Sequence, residues 1–223
     1  HSLALALFLP RATMPESPFR FVVLDDPVQA MDPAKVDGLV KVLLDIAKTR
    51  QVVVFSHDDR FASAVRRAPK HVPIKVLEVV REASSKVTPI VTFSPAERYV
   101  RDAFGLAKDI DLPDETRRRV LPGLLRMALE AQARETYFAR ELSQGSTHEF
   151  VEKAWEDAQK TRDRLALAID DPTRIDAWLE KVPYRKWALR KANSIHVKLE
   201  HGDPIEACRD VEKTIADLRN SAR

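Results

Sequence analysis

The chain has 223 residues, of which 44% are hydrophobic and 32% are charged, with a formal net charge of +3. This length and hydrophobic content favour one large domain or two small ones with a real core. The mild positive charge alone does not establish nucleic-acid binding, since no dense Lys/Arg block occurs. The single cysteine, Cys208, excludes an internal disulfide and weakly favours a cytoplasmic location.

Residues 2–12 form an apolar opening stretch, which we predict to be a helix closed at or shortly after Pro10. About ten apolar residues are too few to span a bilayer, and no basic segment precedes them as in a signal peptide. We therefore expect no membrane association. The stretch also lacks an initiator Met, so we expect the chain to be part of a longer protein.

A strand–helix–strand pattern follows. Residues 19–24, FRFVVL, form an apolar run broken only by Arg20, which is typical of a buried parallel strand, and residues 51–57, QVVVFSH, are predicted to form a second buried strand. Between them, residues 33–48 carry Pro in the first turn and apolar residues at helical spacing, which predicts a helix. A short helix over 58–68 comes next. A right-handed parallel crossover is the expected connection.

The remaining chain changes from β-rich to helical. Residues 73–81 and 86–93 predict a hairpin or meander, and Ser94 is a candidate N-cap for the helix that follows. We predict an α/β domain over 1–94 and an all-α helical domain over 95–223. The predicted helices cover residues 95–107, 114–142, 147–169, 173–181, 183–201 and 204–220.

Polar side chains stand where both predicted parallel strands end. Asp25 and Asp26 close the first strand, and Ser56 and His57 close the second. Ligands of open α/β sheets bind beyond the carboxyl ends of the strands, so we expect these side chains at one edge. One carboxylate would hold Mg²⁺, the other would position or deprotonate a water, and the imidazole would contact a terminal phosphate. The alternative is a simple turn with His57 capping the next helix.

Two of these segments resemble motifs of a known ATPase family. VVLDDPVQAMD (22–32) resembles the Walker B strand and D-loop of ABC-type ATPases, and VVVFSHDDRF (52–61) resembles their switch-histidine strand. The DDP form resembles the SMC-like ATPases of bacterial defence and RNA-cleaving systems, the PrrC and RloC type. HSLALALFL resembles the helix after the ABC signature, so the resemblance covers about residues 1–93.

The resemblance implies a role for each matching residue. Asp25 would be the Mg²⁺-associated Walker B acid, Asp26 the catalytic carboxylate and His57 the switch histidine. Asp32 would be the D-loop acid at a dimer interface, and Gln29 a further nucleotide-binding residue of the same loop. Many ABC enzymes carry Glu where this chain has Asp26, and the shorter side chain reduces its reach.

The phosphate-cradling part of such an ATPase is absent from the sequence. No G-x-x-x-x-G-K-[ST] motif occurs, and the chain has only five glycines. The resemblance implies ATP and Mg²⁺ as cofactors, with the Walker A loop on an N-terminal half. We therefore expect ATP hydrolysis to need that half and a second ATPase head, as a homodimer or higher oligomer.

Two constellations in the helical region suggest a nuclease. Arg126 and Glu130 share a helix face, and Arg190 precedes His196 and His201. The Arg190–His196 spacing resembles the R-x4-6-H motif of the HEPN RNase superfamily, in which Arg would bind the scissile phosphate and His would move the 2′-hydroxyl proton. The alternative is an ordinary ion pair and solvated helix residues.

The large aromatic residues of the helical region favour a packing role. Trp155, Trp178, Trp187, Tyr137 and Phe138 lie at spacings that suit a helical core. Stacking on nucleic-acid bases is the less favoured interpretation.

The resemblance implies the C-terminal lobe of an SMC/ABC-like ATPase, with parallel strands, a crossover helix and a β-hairpin, followed by a helical bundle that resembles the HEPN type. The resemblance implies a role in bacterial antiphage defence. The ATPase would gate a nuclease, in its own helical domain or on a separate subunit, acting on RNA, tRNA or DNA. The alternatives are a DNA-repair or chromosome-type ATPase whose helical domain only binds partners, and an ATP sensor without hydrolysis.

Overall fold

The computed structural model describes residues 2–29, 31–68, 72–81, 85–91, 94–169, 171–194 and 203–221. The chain divides into two units, His1–Val76 and Leu77–Arg223. Each unit has its own hydrophobic core.

The first unit is built on two parallel strands joined by a helix. Its elements are α1 (Ser2–Ala12), β1 (Phe21–Asp25), α2 (Pro33–Ile46), β2 (Gln51–Phe55) and α3 (Asp59–Arg66). The strands pair in parallel from Phe21 opposite Gln51 to Asp25 opposite Phe55. Asp32 caps α2 by accepting the Ala34 N–H at 2.9 Å, which is why the helix begins at Pro33.

The first strand is buried on one face only, and the expectation of a fully buried strand is wrong for the described structure. Val22 and Leu24 are 3% and 6% exposed, whereas Phe21 and Val23 are 51% and 48% exposed. Successive side chains of a strand point to opposite faces, and only one face packs into the core that includes α2. Of the run over 19–24, only Val22 and Leu24 therefore contribute to this core.

A buried arginine fixes the loop that precedes β1. Arg50 is 7% exposed and donates hydrogen bonds to the carbonyl oxygens of Thr13 at 3.1 Å, Met14 at 2.7 Å and Phe19. A guanidinium has five donors in a fixed planar arrangement, which suits several carbonyls at once. Arg50 thereby anchors the loop to the start of β2.

The β-hairpin belongs to the second unit. The strands β3 (Leu77–Arg81) and β4 (Val87–Val91) pair antiparallel. Arg98 of the first helix after the hairpin forms an ion pair with Glu78 of β3. The division between the units therefore lies between Val76 and Leu77, whereas the sequence places it near residue 95, because composition does not reveal which unit a hairpin packs with.

A long central helix organises the rest of the second unit. Its helices are α4 (Pro95–Lys108), α5 (Asp114–Ser143), α6 (His148–Asp157), α7 (Thr161–Ala168), α8 (Ile175–Glu180), α9 (Pro183–Ala192) and α10 (Pro204–Asn220), with a 3₁₀ turn at Pro172–Arg174. Leu121, Leu125 and Leu129 of α5 are completely buried at the centre of the core. Among the described residues, no helix is both long and apolar enough to cross a membrane.

The helix predicted over 147–169 is two helices, α6 and α7. The chain leaves the helical conformation at Ala158, with φ −77° and ψ 87°. Two tertiary contacts stabilise the break: the Thr161 hydroxyl donates to Glu130 at 2.7 Å, and Arg164 Nε donates to the Ala158 carbonyl oxygen at 2.9 Å. No Gly or Pro marks this position, so the local sequence does not indicate the break.

Candidate functional site

The polar residues at the two strand ends meet at one edge of the parallel pair. Asp25 is the last residue of β1, and Asp26 follows it; Ser56 and His57 follow β2. His57 Nδ1 lies 3.1 Å from Asp26 Oδ2. The Asp26 side chain is 21% exposed and the His57 side chain is 80% exposed. The structure thus brings together a partly shielded carboxylate and a solvent-facing imidazole.

The second oxygen of the Asp26 carboxylate has a different partner. The Ser56 hydroxyl donates to Asp26 Oδ1 at 3.3 Å and accepts the Asp58 N–H at 3.1 Å. Because the two carboxylate oxygens contact Ser56 and His57 separately, the carboxylate plane is held in one orientation.

The backbone of Asp26 is left-handed. Its φ is 45°, and its N–H donates to the Phe55 carbonyl oxygen at 2.7 Å. Asp and Asn are the non-glycine residues that tolerate this conformation best. The extended geometry of β1 therefore ends at Asp25. Val28, two residues later, is completely buried.

The other predicted residues of this site are spread along the same loop. Asp25 and Gln29 are exposed, and the Asp32 carboxylate is the N-cap of α2. Within the described ranges, no group of three or more His, Cys, Asp or Glu side chains is arranged to hold a metal. The role of Asp25 as a Mg²⁺ ligand stays a prediction. The dimer-interface role of Asp32 stays a prediction.

Asp58 and Arg60 lie close to His57 at the start of α3, and neither is among the site residues predicted from the sequence. Asp58 caps α3 by accepting the Arg60 N–H at 2.8 Å. The hydrogen bond from the Arg60 side chain lowers the pKa of Asp58, against the opposing effect of partial burial. Arg60 also donates to the Met31 carbonyl oxygen at 3.2 Å, which joins the loop after β1 to α3. An Asp directly before a helix is the only local signal for this arrangement.

In the second unit, Glu130 is the centre of a partly buried polar cluster. Arg126 Nε and the Thr161 hydroxyl each lie 2.7 Å from Glu130 Oε1, and Arg164 pairs with the other oxygen. Burial alone would raise the pKa of Glu130, but these hydrogen bonds and the nearby arginine charges hold it below its usual range. Thr161 and Arg164 fasten α7 to Glu130 of α5, so Glu130 has a structural role, whereas Arg126 pairs with it within α5.

Of the predicted Arg190–His196 pair, the structure describes only Arg190. Arg190 is exposed near the end of α9, while its neighbour Lys191 turns inward and lies 3.0 Å from Asp210, whose side chain is 6% exposed. His196 and His201 lie outside the described residues. Their pairing with Arg190 stays a prediction.

The three tryptophans have different environments. Trp155 stacks on Tyr137 at 6.5 Å and meets Phe138 edge to face at 6.3 Å, and Trp178 packs against the main core. Trp187 is 48% exposed. The prediction that all these aromatic residues are core residues is therefore wrong for Trp187.

Comparison with known proteins gives no further information about the site. No family model, curated protein or solved structure matches the chain. The candidate site is therefore defined by its own geometry and by the two short motifs that resemble ABC-type ATPases.

Proposed function

We propose that this chain is part of an ABC/SMC-like, Mg²⁺-dependent ATPase and carries its Walker B, D-loop and switch-histidine residues. The observation that supports this most is the 3.1 Å contact between Asp26 and His57 at the common edge of two parallel strands. Phosphoryl transfer depends mainly on positioning and on neutralising charge, and this edge offers carboxylates and an imidazole for both.

The geometry suggests a division of roles. Asp25, exposed at the end of β1, would hold Mg²⁺, which when bound neutralises negative charge on the phosphate oxygens. Asp26, oriented by Ser56 and His57, would accept a proton from the attacking water or position it. His57 would contact the terminal phosphate through the exposed part of its ring.

The wider assignment is supported by the motif resemblance alone. ATP binding would bring two ATPase heads together with Gln29 and Asp32 near their interface, and an N-terminal half would supply the Walker A loop. Hydrolysis would then release the heads. The helical unit would be the effector of a bacterial defence ATPase or an adaptor to a separate nuclease.

The test is Asp26→Asn in the ATPase assembled with its Walker A half. We expect ATP turnover to fall by roughly 10²–10⁴-fold, the usual contribution of a general base, with ATP binding retained. Asp45→Asn is the matched control, because that aspartate is 75% exposed in a surface pair with Lys48. Turnover unchanged by Asp26→Asn would overturn the catalytic role. Wild-type protein that binds ATP without turnover would favour the sensor alternative.

Of the two arginines in the nuclease hypothesis, we favour Arg190. Arg126 is engaged by the Glu130 cluster, whereas Arg190 is exposed to solvent. We propose that RNA cleavage, if the helical unit performs it, uses Arg190 with His196 or His201. Cleavage of cellular RNA, including tRNA, that is lost in Arg190→Ala/His196→Ala would support this. No cleavage by the wild type with ATP turnover intact would leave the unit as a partner-binding module.

A further inference from the structure

The outward face of α9 combines an exposed aromatic ring with exposed cations. Lys186 and Arg190 are spaced i, i+4, and Trp187 and Arg190 are spaced i, i+3, so the three side chains are neighbours on one side of the helix. Trp187 is 48% exposed. The opposite side of α9 is buried through Arg185, Ala188 and Ala192. We call Lys186, Trp187 and Arg190 the α9 face.

The charge of the α9 face is positive. The helix Pro183–Ala192 contains four cationic residues and no Asp or Glu. Arg185 and Lys191 are directed inward to Asp217 and Asp210, which leaves Lys186 and Arg190 on the outside. Lys186 pairs with Glu180 at 3.6 Å, and both side chains of that pair are about two-thirds exposed (66% and 68%). Such an exposed pair is weak and is easily replaced by another anion.

We propose that the α9 face binds single-stranded nucleic acid, with a base stacked on Trp187 and neighbouring phosphates held by Lys186 and Arg190. An aromatic platform beside cations is the arrangement that single-strand-binding proteins use, because every base offers a flat π-face and every nucleotide a phosphate. A partner helix or a membrane surface would require an apolar stripe at i, i+3, i+4 and i+7, and the α9 face has one aromatic residue between two cations.

A second exposed aromatic residue of the same unit serves as the control. Phe150 on α6 is 60% exposed, more than Trp187. However, α6 carries four acidic residues and one lysine, so its surroundings repel phosphate. If exposure of an aromatic ring were sufficient for binding, Phe150 would contribute as much as Trp187.

The experiment titrates the full chain, without ATP, into fluorescein-labelled oligouridine, oligothymidine and an RNA duplex. Each strand is about 20 nucleotides long, above the usual site sizes of roughly 4–16. We expect single strands to bind more tightly than the duplex. Trp187→Ala should weaken single-strand binding by roughly 5- to 100-fold, Trp187→Phe should retain most of it, and Phe150→Ala should change nothing.

Salt dependence and fluorescence give independent readouts. Lys186→Gln and Arg190→Gln should each reduce the slope of log Kd against log salt by about 0.7, because each removes one phosphate contact. Trp187→Ala should leave that slope unchanged. Bound oligouridine should quench the fluorescence of the wild type and not of Trp187→Phe.

Several results would overturn the proposal. One is the absence of single-strand binding by the wild type, and another is an equal loss in Trp187→Ala and Phe150→Ala. If the duplex bound as tightly as the single strands and Trp187→Ala had no effect, the α9 face would bind phosphates by charge alone, without stacking. Circular dichroism of every variant must match the wild type, as we expect for exposed positions. A preference for oligouridine over oligothymidine would identify RNA as the ligand, and the reverse would identify DNA.

Discussion

Oδ2 of Asp26 lies 3.1 Å from Nδ1 of His57, so the loops that follow the two parallel strands are joined side chain to side chain. The imidazole is much more exposed than the carboxylate, at 80% against 21%. Under the proposed function, the terminal phosphate would therefore reach His57 before Asp26. This arrangement makes Asp26 both a candidate catalytic group and a support for His57.

Asp26 should be sensitive to backbone conformation as well as to charge. The φ of Asp26 is 45°, so Asp26→Ala should destabilise the first unit by about 1–2 kcal/mol, the usual cost of a left-handed residue. Asp26→Asn and Asp26→Gly should have almost no effect on stability, because Asn and Gly tolerate this conformation. Hydrogen exchange of the β1 and β2 amides would measure this. Equal protection in Asp26→Ala and Asp26→Asn would contradict the prediction.

Glu130→Gln should destabilise the helical unit, because it removes the charge that Arg126 and Arg164 face in a partly buried cluster. We expect a loss of about 1–3 kcal/mol in the free energy of unfolding at neutral pH. Glu156 is exposed on the neighbouring α6, so Glu156→Gln is the control and should leave the free energy of unfolding almost unchanged.

The effect of Glu130→Gln should depend on pH in a defined direction. The pKa of Glu130 is lower in the folded protein than the ordinary value of 4.5. A lowered pKa stabilises the fold above the unfolded-state pKa, and this contribution is lost as the pH falls through the folded-state pKa. The difference between wild type and Glu130→Gln should therefore be constant above about pH 5 and shrink in more acidic urea titrations. A difference that grows with acidity would contradict the assignment.

Two adjacent residues of α9 should respond very differently to the same substitution. Lys191→Met removes the cation 3.0 Å from the buried Asp210 and should cost roughly 3–5 kcal/mol, because a charge then stays buried without its partner. Arg190→Met changes an exposed side chain and should stay within about 0.5 kcal/mol of the wild type. Urea unfolding followed by tryptophan fluorescence would compare them, and equal effects would exclude the inward role of Lys191.

Cys208 should be unreactive in the native protein. Burial raises the pKa of its thiol to about 12, and its side chain is completely enclosed. Because it is the only cysteine, any reaction with a disulfide reagent reports on this position alone. We expect the reaction at pH 8 to be slow and to accelerate with urea as the helical unit opens. Immediate reaction of the folded protein would show that α10 does not stay packed.

Local signals in the sequence predicted much of the secondary structure. Ser94 was expected to cap a helix, and its hydroxyl accepts the Ala96 N–H at 3.2 Å. The strand–helix–strand pattern over 19–57 likewise matches β1, α2 and β2, because apolar periodicity and a proline in the first helical turn are local properties. The position of Asp26 and His57 at one edge follows from the same pattern, because the carboxyl ends of neighbouring parallel strands meet there.

Features that depend on distant partners could not be predicted in this way. Thr161 and Arg164 reach Glu130 from more than 30 positions along the chain, and these contacts explain both the break at Ala158 and the burial of Glu130. Trp187 shares its helical spacing with residues of the core, and only packing shows which side of α9 is covered. The left-handed backbone of Asp26 also depends on its hydrogen bond to Phe55.

The division of the chain between Val76 and Leu77 has a consequence for spectroscopy. All three tryptophans and all three tyrosines lie beyond residue 98, within the second unit. The absorbance and fluorescence of tryptophan and tyrosine therefore report on the second unit alone, and the aromatic residues of the unit that carries the candidate ATPase residues are all phenylalanines. A tryptophan introduced at Phe55, an exposed aromatic position at the end of β2, would give the first unit a signal of its own.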